Sequence, residues 1–186
     1  MNSLKSKAIN GVLWSIIENF INKGLLFVVG VILARLLSPT DFGLIGMITI
    51  IIAVSQSLVD AGFSQALIRN EKVSSKDYST VFIFNFLFSI VIYLVLFFSS
   101  TKISEFFNQP KLVLLIKVLA INIIINSFGL VQRTKLIKRL DFKTQAKISI
   151  VAGLISGAIG IFLAYSDFGV WSLVAKTTAF SLITVI

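Results

Sequence analysis

The chain has 186 residues, 56% of them hydrophobic and 13% charged, with a mean hydropathy of +0.97 and a formal charge of +9. A soluble domain carries about 25% charged residues, so soluble, disordered and disulfide-built folds are all excluded and an all-α polytopic membrane protein is expected. With no Cys and no His, thiolate or histidine metal sites, Cys nucleophiles and His-based triads are excluded too.

Read in chain order, six apolar stretches approach or exceed the roughly 20 residues that cross a bilayer. They lie near 11–36, 42–68, 79–100, 112–131, 148–166 and 169–186 and predict a six-transmembrane-helix bundle. The first carries Glu18, Lys23 and Arg35 and has no small-x-small exit, so it reads as a retained span rather than a cleaved signal. Ser38-Pro39-Thr40-Asp41, Asn108-Gln109-Pro110 and Ser166-Asp167-Phe168-Gly169 carry turn chemistry between spans.

Basic residues set the expected orientation. With the N-terminus in the cytoplasm, eleven Lys and Arg fall on the inner side and three (Arg35, Lys102 and Lys111) on the outer side. The basic segment 132–147 therefore reads as a cytoplasmic loop that meets anionic lipid, and no nucleic-acid partner is expected.

Polar residues within the spans mark candidate sites, because ionisable groups are costly in hydrocarbon. On the first helix Gly11, Ser15, Glu18, Asn19, Asn22 and Lys23 share an arc of about 140°. The second carries Gly46, Thr49, Ala53, Gln56, Asp60 and Ser64 within about 80°. Asn122, Asn126, Gly129 and Arg133 line the fourth, where the two Asn serve either a ligand or a neighbouring helix. Lys117 and Lys176 are each placed to bind an anion or to snorkel. Glu18 and Asp60 lie at similar depth, so Lys23 can pair with either or face a polar cavity. On the fifth helix Ala152, Ser156, Gly160 and Ala164, beside Gly153 and Gly157, form a small-residue row that reads as packing.

No two of the eight acids are close enough in sequence for an Asp-x-Asp motif, no phosphate-binding Gly loop occurs, and the longest loop is short. Neither an enzyme nor a cofactor is expected.

Several motifs in order then carry a resemblance. They are Gly11-Val12-Leu13-Trp14-Ser15, Leu33-Ala34-Arg35-Leu36-Leu37-Ser38-Pro39-Thr40-Asp41-Phe42-Gly43-Leu44 and Asp60-Ala61-Gly62-Phe63-Ser64-Gln65-Ala66-Leu67-Ile68. Asp77-Tyr78-Ser79-Thr80-Val81-Phe82 with Asn85, Phe106-Phe107-Asn108-Gln109-Pro110, Arg139-Leu140-Asp141-Phe142-Lys143 and Phe168-Gly169-Val170-Trp171-Ser172-Leu173-Val174 follow. The series resembles Wzx-type polysaccharide flippases of the multidrug/oligosaccharidyl-lipid/polysaccharide exporter superfamily.

The resemblance implies a bacterial cytoplasmic-membrane transporter with two lobes that alternates access, of which this chain is the N-terminal lobe with the C-terminal lobe absent. Its implied cargo is an undecaprenyl-pyrophosphate-linked oligosaccharide for lipopolysaccharide, capsule or exopolysaccharide, and its implied partners are membrane lipids, a second lobe and a polysaccharide polymerase. For that cargo, charge and depth favour Lys23 for the diphosphate, then Lys117 and Lys176, with Asn19, Asn22, Asn122 and Asn126 beside them. Glu18, Asp60 and Gln56 are expected to balance charge or hold a coupling ion. A cation-coupled multidrug exporter and a non-transporting lipid-binding subunit are the alternatives.

Overall fold

The computed structural model describes residues 2–60, 62–69 and 74–185, with side chains except at 2–13, 15, 17, 18, 63 and 75. All regular structure among them is helical: α1 (Asn2–Leu36), α2 (Pro39–Asp60), α3 (Phe63–Arg69), α4 (Ser75–Phe106), α5 (Leu112–Leu119), α6 (Ile121–Lys138), α7 (Phe142–Tyr165) and α8 (Val170–Val185).

Local chemistry sets the boundaries. Pro39 occupies the first position of α2, where its missing N–H costs nothing. The Ser38 hydroxyl accepts from the Asp41 N–H at 3.2 Å, while an Asp41 oxygen accepts from the Ser38 N–H at 3.2 Å. Ser74 and Asp77 form the same reciprocal cap on α4. Asp141 caps α7 by accepting from the Thr144 N–H at 3.1 Å and hydroxyl at 2.8 Å. Helices α4, α6 and α7 each end in a left-handed residue, Asn108, Leu140 and Asp167, with φ of 52°, 57° and 60°. In each, the next N–H closes on the carbonyl five residues back, as Asp141 does on Leu136 at 2.9 Å.

Two expected spans are interrupted. The second ends at Asp60, Gly62 takes φ +80°, and α3 begins at Phe63. The fourth divides at Ala120 into α5 and α6. There the Asn122 side-chain amide donates to the Leu119 carbonyl at 3.0 Å, and the Ile123 N–H goes to Ala120 instead, also at 3.0 Å. A side chain has entered the backbone ladder.

Helices with at least 18 apolar-rich residues, or the α5–α6 pair taken together, supply five segments long and apolar enough to span a membrane. The sixth, α8, is apolar with 16 residues. The chain is an all-α polytopic membrane protein. Phe20, Phe27, Phe98 and Phe162 are each more than 70% exposed, a surface that suits hydrocarbon and not water.

Packing does not follow chain order. Helix α7 lies between α1 and α8, while α4 packs on α5 and α6; α8 joins the two groups through α6, α2 and α5. The larger apolar core gathers Leu44, Ile48, Leu115, Ile116, Ile123 and Val174, and a smaller one gathers Val29, Leu33, Ala164 and Leu173.

Candidate functional site

The small-residue row of α7 lies in close contact with the helices on either side. A Cβ built on Gly157 would lie 2.9 Å from Val29 Cγ2 on α1. One on Gly160 would lie 3.0 Å from Lys176 Cβ on α8. Small side chains let helix backbones approach within lipid, where the gain is van der Waals contact. The packing reading is met at Gly157 and Gly160, with Ala152 and Ala164 also buried, whereas Ser156 and Gly153 line a cavity as well.

Beside α7, residues of α1 and α8 border a cavity of about 430 Å³. Asn22, Leu25 and Leu26 of α1, Ser156 of α7, and Lys176 and Phe180 of α8 line it, together with Val29, Gly153, Thr177 and Ser181. Asn22 is held by α7, its Nδ2 donating to Ser149 Oγ at 2.7 Å. The Lys176 stem lies across Gly160, which places a half-buried ammonium-bearing side chain at the cavity. Leu26 is 61% exposed, so the cavity wall continues onto the lipid-facing surface. The cavity thus combines one cation, an amide and hydroxyls with an apolar side, a lining suited to an amphiphilic anion.

Two of the residues singled out by sequence, Asn22 and Lys176, meet here. The others lie elsewhere. Lys23 and Asn19 are on α1 but exposed, outside the cavity lining. The Glu18 side chain lies outside the described residues. The Lys23–Asp60 pairing does not form, since α1 packs along α7 rather than α2, and Asp60 accepts from Ser64 Oγ at 2.8 Å. Lys117 sits over the Phe97 ring at 4.5 Å, a cation–π contact between α5 and α4. Asn122 is 3% exposed and its Nδ2 also donates to Thr178 Oγ1 of α8 at 3.3 Å, an interhelical role. Asn126 is half-buried on α6, and Gln56 half-buried on α2.

Sequence reasoning missed Thr177, Phe180 and Ser181. Thr177 and Ser181 are four residues apart beside Lys176, the spacing that could have flagged them.

A family model described as polysaccharide biosynthesis protein matches residues 32–186. The chain belongs to the polysaccharide biosynthesis protein family. Among curated relatives, it is similar to the succinoglycan biosynthesis transport protein ExoT of Rhizobium meliloti (strain 1021), with 27% identity over 88% of this chain and 33% of that protein. The lipopolysaccharide biosynthesis protein WzxC of Escherichia coli (strain K12) is 32% identical over 75% of this chain and 28% of its own length. The teichuronic acid biosynthesis protein TuaB of Bacillus subtilis (strain 168) is 30% identical over 88% and 34%. The chain spans about a third of the length of these relatives. No solved structure matches it. The matched family region takes in α7 and α8, including Ser156 and Lys176, whereas Asn22 precedes it.

Proposed function

We propose that the chain forms part of a transporter that moves a lipid-linked polysaccharide precursor across a bacterial cytoplasmic membrane. The observation that carries this reading is Lys176, a half-buried cation facing an intramembrane cavity, in a member of the polysaccharide biosynthesis family. A diphosphate and its sugars cannot cross hydrocarbon without something to replace their hydration. The Lys176 ammonium offers the charge, and Asn22, Ser156 and Ser181 offer neutral polar contacts. Leu25, Leu26 and Phe180 give a polyprenyl tail an apolar path to the lipid.

At about 430 Å³ the cavity has the size of a small-molecule site. It holds a diphosphate and an adjoining sugar, and a longer oligosaccharide needs a second wall. Such a wall belongs to the remainder of the relatives' length, which makes alternating access between two lobes the natural cycle. The N-terminus is cytoplasmic in this reading, as the distribution of Lys and Arg favours.

The test is made in the cells the protein comes from. Removing it should abolish surface polysaccharide and leave the lipid-linked precursor on the cytoplasmic leaflet. Lys176→Ala should reproduce that loss at normal protein abundance, with partial recovery in Lys176→Arg. Unchanged surface polysaccharide on removal of the protein would overturn the transport reading, and unchanged polysaccharide in Lys176→Ala would overturn the site.

A further inference from the structure

The interruption between α5 and α6 lies deep in the bundle: Leu119 is 4% exposed, Asn122 3%, and Ala120 and Ile123 0%. The Asn122 Nδ2 donates to the Leu119 carbonyl at 3.0 Å, taking the acceptor that the Ile123 N–H would use in an unbroken helix. That N–H turns instead to Ala120, three residues back, at 3.0 Å, a short 3₁₀ turn inside a membrane span. A carbonyl can only accept, so the bond to Leu119 fixes which end of the amide is nitrogen. The other end, Asn122 Oδ1, is buried and has no hydrogen-bond partner.

The arrangement is costly twice over. A ladder bond is exchanged for one of poorer geometry, and an acceptor is desolvated without a donor. Leucine has the same branched shape and would avoid both costs, so stability does not account for asparagine here. A cost held at one place in a fold points to a position that is used, and a 3₁₀ turn in mid-helix is a common form of hinge.

The same amide reaches a neighbour. Its Nδ2 also donates to Thr178 Oγ1 of α8 at 3.3 Å. Seven residues further on, Gly129 of α6 meets Val185 of α8, where an added Cβ would stand 3.0 Å from Val185 Cγ2. Two contacts with the same seven-residue spacing on both helices hold α6 and α8 parallel and in register. Thr178 follows Thr177 and lies two residues from Lys176, both of which line the cavity. On the other side of the break, α5 has eight residues and is tied to α4 by Lys117 over the Phe97 ring.

We propose that Ala120–Asn122 is a hinge about which α5 pivots on α6, and that the Asn122–Thr178 bond is the catch that ties its angle to α8. In the straight span the Ile123 N–H recovers the Leu119 carbonyl and releases the amide. In the interrupted span the amide holds both Leu119 and Thr178. The hinge lies outside the cavity and makes no assumption about cargo.

Spin labels can test it, because the chain has no cysteine of its own. Leu114→Cys on α5 and Gln132→Cys on α6 are both exposed sites, eighteen residues apart. On a straight helix their Cα atoms stand about 27 Å apart, and a bend between them shortens that distance. Pulsed electron resonance on the doubly labelled 186-residue chain in detergent micelles should give two populations, one at the straight value and one shorter. Asn122→Leu should leave only the longer one. Should that variant fail to fold, Asn122→Ala frees the Leu119 carbonyl in the same way. Thr178→Val should shift the ratio toward the straight form by roughly threefold, the effect of a typical interhelical hydrogen bond in a membrane protein. A single population in the unaltered chain, or the same distribution with and without Asn122, would overturn the hinge. An unchanged ratio in Thr178→Val would overturn the catch.

Discussion

The stem of Lys176 rests on Gly160, so closely that a Cβ on the glycine would stand 3.0 Å from Lys176 Cβ and 3.4 Å from Cγ and Cδ. The contact sets both the spacing of α7 and α8 and the direction in which the ammonium leaves the helix. Gly160→Leu should therefore force α8 outward and lower stability by about 1–3 kcal/mol, the usual cost of overpacking. Thermal unfolding in micelles measures it, and a Gly43→Leu control, at an exposed glycine with open space around it, should change the midpoint much less.

Lys117 and Lys176 both carry a cation into a span, yet their surroundings differ. Lys117 is matched to the Phe97 ring, while Lys176 faces a cavity. Lys117→Met should lose the cation–π contribution, about 0.5–2 kcal/mol, and leave transport intact. Surface polysaccharide and protein abundance, measured together for Lys117→Met and Lys176→Met, should separate: the first variant shifts abundance only, the second polysaccharide only.

Topology can be read with thiol chemistry, because the chain has no cysteine of its own. Thr40→Cys, in the first turn of α2, and Lys111→Cys, in the turn before α5, are exposed on the side expected to face outward. Both should react with an impermeant maleimide in intact cells. Lys76→Cys and Arg139→Cys, exposed at the opposite end, should react only after the membrane is opened. The reverse pattern would place the N-terminus outside.

Asp141 caps α7 beyond the end of the spans. Hydrogen bonds from the Thr144 hydroxyl and N–H hold its carboxyl below the ordinary carboxylate range, with small help from Lys143 and Lys147. A pKa lowered by folding stabilises the native state above the unfolded value, about 3.9, and that contribution fades as the pH falls through the native value. Asp141→Asn should keep most of the cap and flatten acid destabilisation below about pH 4. Asp141→Ala should cost about 1 kcal/mol at neutral pH. Melting midpoints from pH 3 to pH 7 for the three proteins check both statements.

Much of this architecture was legible in the residues. The turns at Asn108 and Asp167 are where the left-handed helix ends fall, and the α7 row packs at Gly157 and Gly160, because small side chains at that spacing let helices approach in lipid. The cavity was legible only by halves. Periodicity reveals which side of a helix is polar but not which helix stands opposite. Asn22 and Lys176 were therefore identified separately, while their convergence depends on α1 docking against α7, far along the chain. Lys23 shares the polar arc of Asn22 yet lies outside the lining, since that arc is wider than the strip α7 covers. The break after Asp60 was hidden because the helical stripe of Gln56, Asp60 and Ser64 runs on across it, where one glycine with positive φ outweighs the pattern around it.

The glycine contacts of α7 bear on how the bundle responds to cold. Releasing water drives the folding of soluble cores, and that drive weakens on cooling. At the glycine contacts of α7 that drive is small, because lipid tails are as apolar as the side chains they replace. The close fits at Val29 with Gly157 and at Lys176 with Gly160 act through dispersion, which carries no comparable heat-capacity change. Chilling should thus weaken this three-helix slab less than it weakens a soluble core that buries the same area.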